Sequence, residues 1–582
     1  LAAQAGPVFQ NAGDAKVNGV RVQVDHGALL DTAGVADVTI PVARNYIQVE
    51  LRGSQLADSP LQRNTFLNKS KVWIDAEKGT KLADVSADIA KLERTVAEKS
   101  AVGGNITLRS EGDLVLQRGA TLDVSGGSIA YQAGFGRVTQ LSLNGKPVGI
   151  GDADPERIYD GFADQYSVTN SKWNQTRTFD LTQANYINAY TAGRDAGKVA
   201  LTAHNMVVDA TLLGKTTVGP LQRTQAPRGG QLALTLLADN TLPVVALPDL
   251  SFITARNNAS ATGLGDALPT QVSLSTDLLT GGGFRGVAVY SKGRITLPED
   301  VTLDAGDKGS VSLTGRRLDI DGEILAAGGK ITLATAVNPD KETTNAEDFG
   351  LNIGSTARLD VAGRWVNDLP GTGPASGTGP VSIDGGEINL AAHSDLTLAA
   401  GSVLDVSGGA WVKSNGKLAY GDAGSIDLAS GNFGQGTAST PQTRTSHITL
   451  GSELRGYGMK NGGSLDIATS SIHMGANPAG RLGELVLDEG FFGRGGFREF
   501  NLTGVDGVKV ADGFQLRPAP LSAQLKPGFN LHASGSDMAA LTTLLALPVD
   551  NRAPTRVSLT ANNFTRGNLH IGDGAAIRVD PE

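Results

Sequence analysis

The sequence predicts an all-β chain wound as a right-handed parallel β-helix, a solenoid carrying a few short helices and loop inserts. Three observations carry that expectation. Residues 103–127 (GGNITLRSEGDLVLQRGATLDVSGG) align without a gap over residues 385–409 (GGEINLAAHSDLTLAAGSVLDVSGG), 282 positions later, with 14 of 25 residues identical. Folds that stack copies of one unit repeat themselves in this way. Short runs of alternating aliphatic and polar residues recur along the chain, and Gly, Asn or Asp closes each of them. Finally, Gly makes up 76 of 582 residues, well above the usual share of about 7%, as many tight corners require.

The strand runs include Asn105–Arg109, Asp113–Gln117, Lys198–Ala203, Ser310–Thr314, Lys330–Ala334, Glu387–Ala391 and Ser464–Ala468. Alternate side chains of a strand point to opposite faces, so the aliphatic set lines an interior and Thr, Asn, Asp and Ser face water. Within 103–127 the runs start near residues 105, 113 and 121, which suits one three-sided coil better than a series of sandwich hairpins. Three helices are expected to interrupt the pattern. Lys81–Lys99 sets Leu82, Val85, Ile89, Leu92 and Val96 on one stripe with Thr80 as its N-cap, Asp537–Leu547 follows Ser536, and Thr182–Thr191 is a weaker third. Residues 370–380 (PGTGPASGTGP) read as a flexible loop. Two loop regions carry aromatics, Tyr159, Phe162, Tyr166 and Trp173 in 143–180 and four Phe in 487–500. They read either as covers over apolar strips or as contacts for a glycan or protein. The division expected is initial coils over 1–70, a strand plus amphipathic helix over 71–102, and coils over 103–582 with inserts near 128–195, 336–382 and 484–550.

A net charge of −9 and the lack of a basic stripe argue against nucleic acid as a partner. No apolar window is long enough for a transmembrane helix. The absence of Cys fits export as an unfolded chain and excludes thiolate chemistry. The chain opens LAAQ without a charged-then-apolar leader and closes VDPE, and both ends read as cut from something larger.

The apolar–Asp–apolar triplets centred on Asp123, Asp304, Asp319, Asp360, Asp405, Asp427 and Asp466 draw most of the chemical attention. One reading makes them a row of carboxylates for catalysis or Ca²⁺. The preferred one makes them solvent-facing positions beside turns that discourage pairing with other chains. The GGxGxDxUx nonapeptide of Ca²⁺-binding repeats is absent. The seven His (His26, His204, His393, His447, His473, His532 and His570) show no metal spacing, and no GxSxG elbow, P-loop or dinucleotide fingerprint occurs. No catalytic, cofactor-binding or metal-binding residue is therefore nominated, and no cofactor is expected.

The order of segments adds a family resemblance. YIQVELRGSQLADSPLQRNTFL (Tyr46–Leu67), KVWID (Lys71–Asp75), LADVSADIA (Leu82–Ala90), Gly103–Tyr131, DPERIYDGFADQYSV (Asp154–Val168) and YTAGRDAGKVALTA (Tyr190–Ala203) follow one another. Together they resemble the filamentous haemagglutinin family of large bacterial exoproteins, in a region well downstream of the secretion domain. The likeness is strong from about residue 40 to 210 and continues more loosely, by repeat style, to the end. It implies two-partner (type V) secretion from a Gram-negative bacterium through an outer-membrane β-barrel with POTRA domains, and folding at the cell surface as a β-helical fibre. The expected role is non-enzymatic, in adhesion or biofilm cohesion, with a host or bacterial surface receptor or glycan as partner. The alternatives are a β-helical polysaccharide lyase or hydrolase and the stalk of a contact-dependent toxin. An NPNL-type secretion motif and an RGD are not found, and no catalytic residue carries over from the resemblance.

Overall fold

The computed structural model describes residues 13–163, 165–180, 184–237, 249–255, 271–336, 349–373, 377–431, 446–476, 483–548, 551–552, 554–561 and 567–579, without the side chains of 165–167 and 178–180. The chain is mostly β, and its largest sheet has 14 strands, all pairing in parallel. Strands come in cycles of three. Ser310–Gly315, Arg317–Ile320 and Glu323–Leu325 form one cycle, and Lys330–Thr335, Leu351–Ile353 and Arg358–Asp360 form the next. Glu387–Ala392, Leu396–Leu398 and Val403–Asp405 then repeat it. Each strand pairs with its counterpart one cycle on, so three sheets grow side by side. The expected starts near 105, 113 and 121 are the first residues of Asn105–Ser110, Asp113–Leu116 and Thr121–Asp123.

Register explains the core. Val311, Ile331, Ile388, Ile426, Leu465 and Phe500 occupy one row, and Leu313, Leu333, Leu390, Leu428, Ile467 and Leu502 another. These residues belong to one buried apolar cluster, each at most 1% exposed. Removing a Leu or Ile side chain of this kind from water contributes roughly 1.5–3 kcal/mol, and here each residue of the two rows is flanked by an apolar residue in the layers before and after it.

Glycine sets how closely the corners approach. Gly309, Gly329, Gly386, Gly424 and Gly463 precede successive strands of the largest sheet. The carbonyl of each of the first four accepts from the next strand's N–H, as in Lys330 N to Gly309 O (2.9 Å), Glu387 N to Gly329 O (2.9 Å) and Ser464 N to Gly424 O (3.1 Å). A Cβ on Gly329, Gly386 or Gly424 would collide with the carbonyl oxygen of the glycine one layer before it. Gly13, Gly104 and Gly197 form the same column nearer the N-terminus.

Residues 35–101 and 128–193 form a second compact unit, apart from 1–34, 102–127 and 194–582. Residues 35–70, expected among the initial coils, therefore belong with 71–101. Within this unit Tyr46–Glu50 pairs antiparallel with Lys71–Asp75, and Val49, Leu51, Leu67, Val72, Ile74, Leu82 and Val85 share a core.

All three expected helices need correction. Over Lys81–Lys99 only Ser86–Ala90 and Val96–Lys99 are helical. Thr95 accepts from Glu98 N while the Glu98 carboxylate accepts from Thr95 N, a reciprocal cap that starts a new helix and breaks the stripe. Thr80 caps nothing and donates to the Ile150 carbonyl, and Val96 is 58% exposed. In place of a helix over Asp537–Leu547, one turn (Met538–Leu541) capped by Asp537 leads into the strand Thr542–Ala546. That strand pairs antiparallel with Leu521–Leu525, which supplies the backbone partners a helix would have satisfied internally. In Thr182–Thr191, residues 182–183 lie outside the described residues. Asn185–Ile187 pairs with Gly134–Gly136, and Tyr190 and Thr191 begin a strand paired with Ser128–Tyr131.

Replacing Gly424 with Val is expected to lower stability by about 2–3 kcal/mol, because the added carbons meet backbone rather than a movable side chain. Gly281→Ala, where nothing lies within 4 Å of the new carbon, should change it little. Denaturant unfolding of both variants beside the parent checks this.

Candidate functional site

Outward positions stack in register as the core does, and the largest sheet brings acids together. One outward row runs Ser312, Thr332, Asn389, Asp427, Asp466 and Asn501, and its neighbour runs Ser310, Lys330, Glu387, Ser425, Ser464 and Glu499. Asp427 and Asp466 are direct register partners, about 4.8 Å apart along the backbone ladder. Ser464 Oγ donates to Asp466 Oδ2 (2.7 Å), and Lys330 Nζ pairs with Glu387 Oε2 (2.6 Å). Asn389, with its amide turned to satisfy both ends, donates to Asp427 Oδ2 (2.5 Å) and accepts from Lys330 Nζ (3.2 Å). Partial burial, reinforced by the charges of Asp466 and Glu387, pushes the Asp427 carboxyl up to about 6. Lys330 opposes this shift only in part. Beside the rows the glycine corners leave a recess of ≈ 350 Å³ lined by Glu387, Ser425, Ser464, Arg498 and Glu499.

A carboxyl raised to about 6 beside a second carboxyl is the kind of pairing that acid–base hydrolysis of a glycosidic bond uses. It is also what any carboxylate ladder produces when like residues are stacked without a compensating cation. Among the described residues, no group of three or more His, Asp or Glu is placed to hold a metal ion.

The other triplet aspartates have a different task. Asp123 ends a strand of a three-stranded parallel sheet and Asp304, Asp360 and Asp405 end strands of a five-stranded one, and the Oδ1 of each accepts from the N–H two residues on: Ser125 (2.8 Å), Gly306 (2.7 Å), Ala362 (2.8 Å) and Ser407 (2.9 Å). Asp31 does the same with Ala33 (2.9 Å). These are Asx turns, in which the side chain stands in for a backbone turn. The letters LDVSGG recur because strand end, turn and glycine corner recur together. The alternation placed the triplet aspartates on the solvent side, but Asp123, Asp304 and Asp360 are only part-exposed, and Asp405 is buried at 9%. Burial, together with the charge of Asp360, raises the Asp405 carboxyl above its ordinary value. Asp319, on the second sheet, lies between Arg294 and Arg317 and accepts from Asn352, which holds its carboxyl low despite burial.

The aromatic loops divide between the two readings. Phe492, Phe497 and Phe500 are buried and pack with Phe491, so this group covers the core. Tyr159 is buried and Phe162 packs edge-on against Phe66 (4.8 Å). Trp173 is 67% exposed, and the side chain of Tyr166 lies outside the described residues. A second exposed feature escaped sequence reasoning: Phe135 (64%) and Tyr186 (62%) are cross-strand partners whose rings meet at 5.5 Å. His473 is buried with Nε2 3.2 Å from the Ala476 carbonyl oxygen, and His393 stands edge-on to Phe349.

Also missed was a buried ion pair. Arg223 Nη1 meets Asp368 Oδ2 at 2.5 Å, Nη2 meets Oδ1 at 3.0 Å, and Trp411 Nε1 donates to the same carboxylate. Burial favours the neutral form of Asp368, but the bonds from Arg223 and Trp411 outweigh it and hold the carboxyl below its usual range. Arg223 also donates to the carbonyls of Thr378 and Gly379, so this part of the loop expected to be flexible is tied down; residues 374–376 lie outside the described residues. Nothing in a sequence marks a contact spanning 145 residues.

Comparison of the chain with protein-family models, with curated proteins and with solved structures found no match. Among the described residues no helix is long and apolar enough to cross a membrane.

Two outcomes are expected. The raised carboxyl of Asp427 favours the folded state below about pH 4, and that contribution fades as pH rises through about 6. Asp427→Asn should therefore stabilise the protein at pH 7.5, by about 1 kcal/mol once solvent screening of a half-exposed group is counted. It should add little at pH 4. Melting temperatures at the two pH values measure this. Arg223→Met should cost about 3 kcal/mol by leaving Asp368 buried and unpaired, read from denaturant midpoints.

Proposed function

We propose that this chain is a segment of a right-handed parallel β-helix from a filamentous haemagglutinin-like exoprotein, secreted to or displayed on a bacterial surface. In this reading it acts without catalysis, as a stiff spacer in adhesion or biofilm cohesion. The observation that carries it is the register: equivalent strands pair in parallel cycle after cycle over one continuous aliphatic core. Such a stack buries its apolar rows only against neighbouring layers and can be lengthened without redesign. Export through an outer-membrane β-barrel with POTRA domains is part of the same reading and rests on the family resemblance. The exposed rings of Trp173, Phe135 and Tyr186 are the side chains best suited to meet a glycan or protein receptor.

A second reading, a β-helical polysaccharide hydrolase or lyase, is favoured by the Asp427–Asp466 pair and its adjoining recess.

One set of assays separates them. Beads coated with the purified chain should bind bacterial or host cells above an albumin control, and Trp173→Ala combined with Tyr186→Ala should reduce binding severalfold. Reducing ends should not accumulate from acidic polysaccharides. Cell binding no better than albumin would remove the adhesion reading. Polysaccharide cleavage abolished by Asp427→Asn or Asp466→Asn would establish the enzyme instead.

A further inference from the structure

Apolar residues exposed singly are ordinary on a protein surface. Phe135 and Tyr186 are 64% and 62% exposed, and they stand together. They are cross-strand partners in the two-stranded sheet of Gly134–Gly136 and Asn185–Ile187, and their rings meet edge to face at 5.5 Å. Two large apolar faces are thus held in water in a fixed geometry. Gly136 sets the side they occupy. It is buried, and a Cβ there would strike the Tyr46 ring, so its neighbours Phe135 and Arg137 both turn outward. Arg137 is exposed, and its guanidinium carbon lies 5.9 Å from the centroid of the Trp73 ring. No carboxylate among the described residues pairs with it, so its charge is uncompensated. Trp73 in turn has the exposed Gln48 as its cross-strand partner. A ring pair, a cation and an amide therefore follow one another along one surface.

We propose that this ledge binds a polyuronate, a saccharide chain bearing carboxylates, with one sugar on the Phe135–Tyr186 rings and a neighbouring carboxylate on Arg137. The inference rests on the adhesion reading and gives it a ligand class. A sugar ring carries apolar C–H groups on its faces and hydroxyls at its rim, so an aromatic face and a side-chain amide take it up together. A guanidinium resting on a ring offers its N–H donors at the edge, where their fork matches the two oxygens of a carboxylate. Phe135 and Arg137 are two residues apart in extended chain, about 7 Å, a little more than the length of one sugar residue. Size argues against a protein as the occupant. A stable protein interface takes about 800 Å² on each side around an apolar centre, whereas here polar Gln48, Arg137 and the exposed Asn185 bound a patch of two rings.

Isothermal titration calorimetry of the purified chain with hexagalacturonate and with its carboxyl-reduced counterpart tests this. The acidic hexamer should bind about fivefold to tenfold more tightly than the neutral one, and the preference should shrink as salt is raised. Arg137→Gln should erase the preference, and Arg137→Lys should keep only part of it, since an ammonium lacks the fork. Phe135→Ala and Tyr186→Ala should each weaken binding of both hexamers severalfold. Leu531→Ala, which trims a residue 79% exposed elsewhere, should change neither. If a ring variant departs from the parent by far-UV circular dichroism, the Arg137 variants carry the test alone. The proposal is overturned if neither hexamer binds at millimolar concentration, if the two bind equally, or if Arg137→Gln keeps the preference. Beads that still bind cells in any of those cases leave the adhesion reading standing. Arg137-dependent binding of hexagalacturonate by a chain whose beads bind no cells removes that reading and keeps the site.

Discussion

Parallel pairing in register is the constraint from which the rest follows. It places each residue about 4.8 Å from its counterpart in the next layer, with register shifts only at isolated points such as Gly230–Gln231 and Thr469–Ser471. Aliphatic residues gain by this, since every Leu390 finds a Leu333 and a Leu428. Glycine is required where a Cβ would run into the corner carbonyl of the preceding layer, as at Gly386 and Gly424. Carboxylates lose by it. Asp427, beside Asp466, and Asp405, beside Asp360, are each held above the ordinary carboxyl value chiefly by burial, to which the like charge one layer away adds.

The same constraint gives the aspartates two roles that the triplet alone does not distinguish. At the ends of the short strands that carry Asp123 and Asp405 the carboxylate folds back onto the N–H two residues on and forms a turn, so its charge is a by-product of local geometry. On the largest sheet the carboxylates stand mid-strand in a row and meet one another. The chemistry of the surface is set by where in the strand an aspartate falls.

Much of the strand pattern was legible because it is local and periodic. Alternation marked the strands at 105, 113 and 121, and the repeat between 103–127 and 385–409 marked equivalent layers. The helices were misread for reasons equally local. The Thr95–Glu98 reciprocal cap was visible in the letters TVAE, and it outweighed the spacing of Leu92 and Val96. Over Thr542–Ala546 the decisive fact was tertiary, a waiting antiparallel partner at Leu521–Leu525. The Asp427–Asp466 pair needed the register between two strands 39 residues apart, and the Phe135–Tyr186 pair needed an antiparallel pairing between segments about 50 residues apart.

The bond between Arg223 and Asp368 changes how such an architecture comes apart. Where each layer touches only the next, loss of structure can start anywhere and stay local. Arg223 precedes the strand Gly230–Leu236, and Asp368 follows the cycle that begins at Lys330, so the strands at 284–291 and 310–315 lie between them in the sheet. To fray, those intervening layers must stretch around a clasp anchored on either side of them. The middle of the chain is thereby made to melt as one block.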